Sequence, residues 1–311
     1  MNVSLSDEAS TPVFSGNAGD SLHLRIELGD LHGAQPESLR YEVDWDLGVF
    51  GRSILSGPLF TPETAYGFEH LASDHVAGYF PFGFTQQAVQ VLKRLEAAYS
   101  FMTEYANHTL SYRLHVYLPW DPGGSGWAGG DSIWLWMGGL LHWNPDDPVN
   151  IWEPCLFHEL GHHMLSSISG SRNEALASVL AFEACDSIGD VNRARWNRIR
   201  ECQGFLQHVE GTFPDTSPDY EYAMNRFLLH IYLPAVSGHS IHSAFFKDWI
   251  ESRQALADFS EADAFVTLYS FHSQMNLADA FQAIGYTTTA DTVHEGLNRL
   301  EKLLPSGIGR Q

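Results

Sequence analysis

His158-Glu159-Leu160-Gly161-His162 stands in the middle of a 311-residue chain, and the rest of the sequence is read outward from it. The pattern is H-E-x-x-H. On a helix, positions four apart share a face, so both imidazoles reach one Zn²⁺. The glutamate between them is placed to take a proton from a metal-bound water. Leu156, Phe157, Leu160, Met164, Leu165 and Ile168 supply the apolar surface such a helix needs. Pro154 falls where a first-turn proline is tolerated, and Ser169-Gly170 is expected to end the helix.

A third ligand is expected from a second helix. Ser171-Arg172-Asn173-Glu174 has the form of a capping box, and Ala175, Leu176, Val179, Leu180, Phe182, Ala184 and Ile188 follow it, with Gly189 as a stop. Glu174 is the expected metal carboxylate. Its alternative role is to cap its own helix, and Glu183 is the rival ligand. His163 points about 100° away from His162 and reads as a packed or surface histidine. Asp186 reads either as a solvated helix residue or as a carboxylate that orients a ligand histidine.

The net charge of -21 argues against a general nucleic-acid surface. Cys155, Cys185 and Cys202 lack metal-knuckle spacing and are expected to be small buried side chains. No apolar run is long enough for membrane insertion. No signal peptide is visible, which fits a cytoplasmic protein or a mature secreted one.

Taken in order, residues 1–60 read as a β-rich region. Leu22, Leu24, Ile26 and Leu28 alternate with polar residues, as do Tyr41, Val43 and Trp45. A carbohydrate-binding module is the alternative for this region. Residues 58–82 read as a connector in which Asp74 and His75 form a buried polar turn pair. A helix is predicted over 85–105 and a strand over 112–118. Gly129-Gly130 precedes a strand at Ile133-Trp134-Leu135-Trp136, where alternation puts Trp134 and Trp136 on one face. Helices are then predicted over 192–205, 222–233, 241–249, 263–271 and 292–304. The domain division is 1–60, 61–290 and a C-terminal helix and tail at 291–311.

Trp152-Glu153-Pro154-Cys155-Leu156-Phe157, the H-E-x-x-H and the glutamate after a short spacer together resemble the M60-like, enhancin-type zinc peptidases of the gluzincin group. Asn17–Leu22, Ser73–Val76 and Asn276–Phe281 resemble further family segments, so the likeness runs over about residues 10 to 286. His163 and Met164 stand where many members have Asn and Gln. Ser178 stands where thermolysin-like gluzincins have Asp. The resemblance implies an α+β fold: a small N-terminal β region, then a mainly helical gluzincin-like domain with a mixed sheet edge at the cleft. It implies zinc on His158, His162 and Glu174, Glu159 as general base, and a polypeptide or glycoprotein substrate. It also implies a strand that holds an extended substrate, with Gly129, Gly130 and Trp134 as the substrate contacts and Trp127 and Trp136 beside them. A downstream Tyr or His is expected to stabilise the oxyanion, from among His208, Tyr220, Tyr222, His230, His239 and His242. The alternative function is a catalytically weak or inactive protein, or a glycan-binding scaffold.

Overall fold

The computed structural model describes residues 2–6, 12–17, 40–46, 52–58, 68–81, 84–118, 126–141, 143–147, 149–165, 168–210 and 220–304. The fold is α+β, with strands first and helices after them. The chain divides into two compact units, Met1–Glu96 with Tyr112–Trp143, and Ala97–Ser111 with Asn144–Gln311. The sequence reading places its divisions elsewhere, at residues 60 and 290. Strands well past residue 60 stay with the N-terminal region, and the last helix stays with the unit that holds the motif.

In the first unit, β1 (Asn2–Ser6), β2 (Pro12–Asn17), β3 (Arg40–Asp46) and β4 (Arg52–Pro58) form an antiparallel sheet in the order β2-β1-β3-β4. Tyr41, Val43 and Trp45 fall on β3, as their alternation predicts. The strand expected around Leu22–Leu28 lies outside the described residues.

A second, mixed sheet has the order β5-β6-β7-β9-β8. Its strands are β5 (Phe68–Ala72), β6 (Val76–Pro81), β7 (Leu114–Tyr117), β8 (Gly126–Gly129) and β9 (Ser132–Leu135). The pairs β6–β7 and β7–β9 are parallel. A parallel pair needs a crossover, and α1 (Thr85–Ala106) lies between β6 and β7 in the chain. Its apolar positions Ala88, Val91, Leu92 and Leu95 are buried. On one face of the sheet Val76, Phe80, Leu114, Val116, Ile133 and Leu135 are buried. Such side chains contribute about 1.5–3 kcal/mol each when fully buried.

On the opposite face Tyr79, Tyr117, Trp134 and Trp127 stand directly across from one another on four neighbouring strands. Their ring centroids are 5.1, 4.5 and 6.4 Å apart along the row. Trp134 therefore lies between Tyr117, on which it stacks, and Trp127, whose ring is tilted against it. Trp136 lies beyond the end of β9 and is exposed, so it does not share the surroundings of Trp134.

β9 is paired on both sides, by β7 and by β8. It has no edge to offer an extended chain. Among the described residues the outer edge at this end of the sheet belongs to β8, which corrects the strand expected to hold a substrate. Gly130 has φ 61 and lies in the turn between β8 and β9. Its glycine serves the turn conformation. Asp74 and His75 form a polar turn, but an exposed one. The Glu96 carboxylate accepts from Ser73 Oγ at 2.6 Å and from the His75 backbone N–H at 3.2 Å, and pairs with the His75 ring.

After α2 (Met137–Leu141), the second unit is built from helices. They are α3 (Trp152–Met164), α4 (Gly170–Ser187), α5 (Val191–Glu201), α6 (Gln203–Val209) and α7 (Tyr220–Phe227). A π-helical turn at Leu228–Tyr232 leads into α8 (Leu233–Ser237), then α9 (Ser240–Ala255), α10 (Glu261–Ser273), α11 (Ala278–Gln282) and α12 (Ala290–Leu303). The helix expected over 192–205 is thus two, broken at Cys202. The one expected over 222–233 carries the π turn. A π turn adds a residue and takes carbonyls out of the usual ladder. Leu229 O there accepts from His242 Nε2 at 2.9 Å. Among the described residues no helix is long and apolar enough to cross a membrane.

Candidate metal centre

α3 carries His158, Glu159 and His162, and α4 returns beside it carrying Asn173, Glu174 and Ser178. The motif glycine sets how close the two helices come. A Cβ at Gly161 would stand 2.9 Å from Ala177 Cα and 3.0 Å from Ala177 O. The first turn of α3 is anchored as well. Arg193 of α5 is 2% exposed and pairs with the buried Glu153 of α3 and with Asp190 at 2.9 Å. It also donates to the carbonyls of Asn144, Pro145 and Asp147 at 3.1, 2.7 and 3.1 Å, which fixes the segment that runs into α3.

His158 Nε2 and His162 Nε2 are 3.0 Å apart. Glu174 Oε2 is 3.2 Å from the first and Glu174 Oε1 is 3.6 Å from the second. Zn–N bonds of 2.0–2.1 Å imply ligand atoms about 3.3 Å apart around a tetrahedron. The three separations bracket that value. Among the described residues, the group able to hold a metal is His158, Glu159 and His162, whose ligand atoms all lie within 4.8 Å of one another. Two carboxylates therefore border the imidazole pair. Glu174 touches both nitrogens, whereas Glu159 is 7% exposed and lies on the motif helix itself.

The His162 tautomer follows from its neighbour. Asn173 Nδ2 donates to Leu165 O at 3.2 Å and to Ile168 O at 2.8 Å, so both amide protons are spent. Asn173 Oδ1 must then be the atom that meets His162 Nδ1, and His162 carries its proton there. Its Nε2 presents a lone pair towards His158 Nε2. A lone pair, a second imidazole nitrogen and a carboxylate converging on one place form a donor set that suits a cation, and two imidazoles with one carboxylate suit zinc. His158 Nδ1 lies 3.0 Å from Ser178 Oγ, so each histidine has a polar partner behind it.

The electrostatics separate the two glutamates. Burial pushes the Glu159 carboxyl up to about 7; His158 pulls it back and Glu174 adds to the rise. The hydrogen bond with His158 holds Glu174 below the usual carboxylate range, against its burial. Burial and the neighbouring His158 both lower the pKa of His162.

The capping box predicted at Ser171–Glu174 does not form. Ser171 Oγ donates to Glu221 Oε1 at 2.6 Å, and the Glu174 carboxylate faces the histidines. α3 ends at Met164, ahead of the expected Ser169-Gly170, because the turn after it is bound to Asn173. Glu183, the rival ligand, accepts from Arg198 Nη2 at 2.8 Å and lies 3.2 Å from His239 Nδ1. Asp186 pairs with Arg198 Nη1 at 2.6 Å. The Arg198 guanidinium thus already supplies both carboxylates with a cation. His163 is buried. Cys185 and Cys202 are buried and Cys155 is half-buried, all three as free thiols.

Among the downstream Tyr and His candidates, His230 and His242 are 4% and 1% exposed, and His230 is within electrostatic reach of His158. Both nitrogens of His242 are engaged, with Leu229 O and with Tyr269 Oη at 2.9 Å each. His239 is exposed beside Glu183, and His208 packs edge-on against Tyr220 at 5.0 Å. Tyr222 carries the Arg226 guanidinium 3.5 Å from its ring centroid, and the charge of Arg226 reaches Glu174. Asn173 is the site residue that sequence reading missed. Its one signal was position, an amide between a presumed cap and a presumed ligand.

No protein-family model and no curated protein matches the chain. Its fold is similar to that of a functionally unknown conserved protein from Bacillus anthracis str. Ames, with a TM-score of 0.53 and 13% identity over 75% of this chain and 52% of that one. A metallopeptidase from Bacteroides thetaiotaomicron aligns with a TM-score of 0.47 and 12% identity, over 76% and 46%. A metallopeptidase in complex with Tn antigen gives 0.48 and 13%, over 76% and 51%. The chain spans about half the length of these structures.

Proposed function

We propose that this chain is a zinc-dependent metallopeptidase of the gluzincin type, with His158, His162 and Glu174 as the metal ligands and Glu159 as the general base. The observation that carries the reading is the meeting of the two Nε2 atoms and the Glu174 carboxylate at 3.0, 3.2 and 3.6 Å, with a second, buried carboxylate beside them. Zinc held there supplies a Lewis acid and a water acidic enough to attack an amide near neutral pH.

The residues do the rest. Asn173 and Ser178 hold the two rings so that their Nε2 atoms face inward. Glu159 accepts a proton at its carboxylate and returns it to the leaving nitrogen, a task suited to a carboxyl pushed up to about 7. For the developing oxyanion the candidates we retain are Tyr222 and His230: Arg226, on the ring of Tyr222, acts on Glu174, and His230 is within electrostatic reach of His158.

The likeness of the Trp152–His162 run to M60-like peptidases extends the proposal to glycoprotein substrates, and the clustered Trp127 and Trp134 are compatible with them. Gly129 on β8, Gly130 in the turn after it and Trp134 on β9 are the substrate contacts this likeness implies.

Metal analysis tests the ligand set. Glu174→Ala should lose most of the bound zinc while Glu183→Ala keeps it, each measured on folded protein. Full zinc retention by Glu174→Ala would move the carboxylate ligand elsewhere.

A further inference from the structure

The first turn of α4 carries the residues that complete the centre, yet it gives up the local bonds that ordinarily hold such a turn. Ser169 stands at the N-cap and makes no cap bond. Its hydroxyl donates instead to Glu261 Oε2 at 2.8 Å, and its backbone N–H to Glu261 Oε1 at 3.2 Å. Ser171 is likewise spent on Glu221. Arg172 donates from Nε and Nη2 to Glu261 Oε1 at 3.0 and 2.9 Å. One carboxylate, about 90 residues further along the chain and at the start of α10, thus gathers both residues that flank the beginning of α4. The next residues are Asn173, on His162 Nδ1, and Glu174, on both histidines. A turn that forgoes local capping for distant contacts is placed by them, and such departures from local preference gather at functional sites.

We propose that Glu261 is a positioning residue for the metal centre: through Ser169 and Arg172 it fixes the start of α4, and so the reach of Asn173 and Glu174 towards His162 and His158. The inference rests on the zinc reading above and adds to it a residue outside the motif. Arg172 is held on its other side by Tyr286 and, at 3.8 Å, by Glu221. Glu261 is therefore the anchor shared by Ser169 and Arg172. Removing it leaves Arg172 to Tyr286 and Glu221, neither of which holds Ser169, and so frees the turn there.

The test uses the full chain and Zn²⁺ in competition with a chelating dye. Glu261→Ala should raise the zinc Kd about 10-fold or more, the range seen when outer partners of metal ligands are removed. Glu261→Gln keeps an acceptor for Ser169 but loses the ion pair, and should fall between it and the wild type. Asp258→Asn is the control. Asp258 pairs with Arg299 at 2.6 and 3.1 Å ahead of the same helix, so that substitution removes a nearby ion pair without touching α4 and should leave the Kd unchanged.

In metal-free protein, the ¹⁵N shifts of His162 should report one Nδ1–H tautomer in the wild type and a mixture in Glu261→Ala. A purely structural role would lower Tm without moving the Kd or the tautomer. A Kd within twofold of the wild type in folded Glu261→Ala, with His162 still in one tautomer, overturns the proposal. If that variant does not fold, the same result in Glu261→Gln does so. Should the wild type bind no zinc, the metal reading fails, and the tautomer measurement still decides the role of Glu261.

Discussion

At the scale of single residues, the centre depends on which atom carries each proton. Asn173 has both amide protons on main-chain carbonyls and its oxygen on His162, so its amide is fixed and the ring cannot turn without losing its partner. Asn173→Ala should weaken zinc binding by roughly 10- to 100-fold. Asn173→Asp keeps the acceptor for His162 but loses the two donors, and should retain more affinity than Ala while lowering Tm. Zinc competition titrations with thermal melts read both effects; equal affinity in the wild type and Asn173→Ala would remove Asn173 from the centre. The motif histidines were legible in the sequence because their relation is local, four positions on one helix. The role of Asn173 was not, since an amide in the first turn of a helix is ordinarily read as a cap. The Ser171–Glu174 pairing failed for the same reason: its side chains meet partners far away in sequence, Glu221 and the histidines, and these outcompete the local bonds.

At the scale of elements, α3 and α4 form a hairpin held at three points. Gly161 lets the backbones approach, Asn173 ties the connection, and Arg193 holds the first turn of α3. Arg193 and Glu153 are 2% and 1% exposed on their side chains. Such a pair gives little net stability over an apolar pair, but breaking it strands a buried charge. Arg193→Met should therefore destabilise by about 3–5 kcal/mol, and adding Glu153→Met should recover only the part due to the stranded carboxylate, because Asp190 and the carbonyls of Asn144, Pro145 and Asp147 still lose their donor. Urea denaturation of the two variants would decide it. A single variant as stable as the wild type would mean that the pair is not buried. Helix existence was legible from apolar spacing, as with α1 and α12. The sheet order was not. Among the described residues β8 lies at the outer edge because it folds back on β9 through the Gly130 turn. The turn could have been read from Gly130-Asp131, but the pairing of β7 with β9 is non-local and leaves no periodic trace.

At the scale of the whole molecule, the α+β class and a chain long enough for two units were legible, whereas the place of the division was not, because contacts between distant segments define it. The net charge of -21 also acts at this scale. It should draw cationic peptides to the protein and repel acidic ones, so kcat/KM for a Lys-rich peptide should exceed that for a Glu-rich one at low salt. The gap should narrow as ionic strength rises and the Debye length shortens from about 30 to 8 Å. A preference independent of salt would assign selectivity to local contacts. The central claim is that Glu159 is the proton acceptor of a zinc peptidase. It is tested most directly by peptide and glycopeptide hydrolysis in the wild type and Glu159→Gln, with zinc measured in both. The account predicts equal zinc, equal folding and turnover at least about 10²-fold lower in the variant. Turnover in Glu159→Gln close to the wild type, with contaminating proteases excluded, would contradict it.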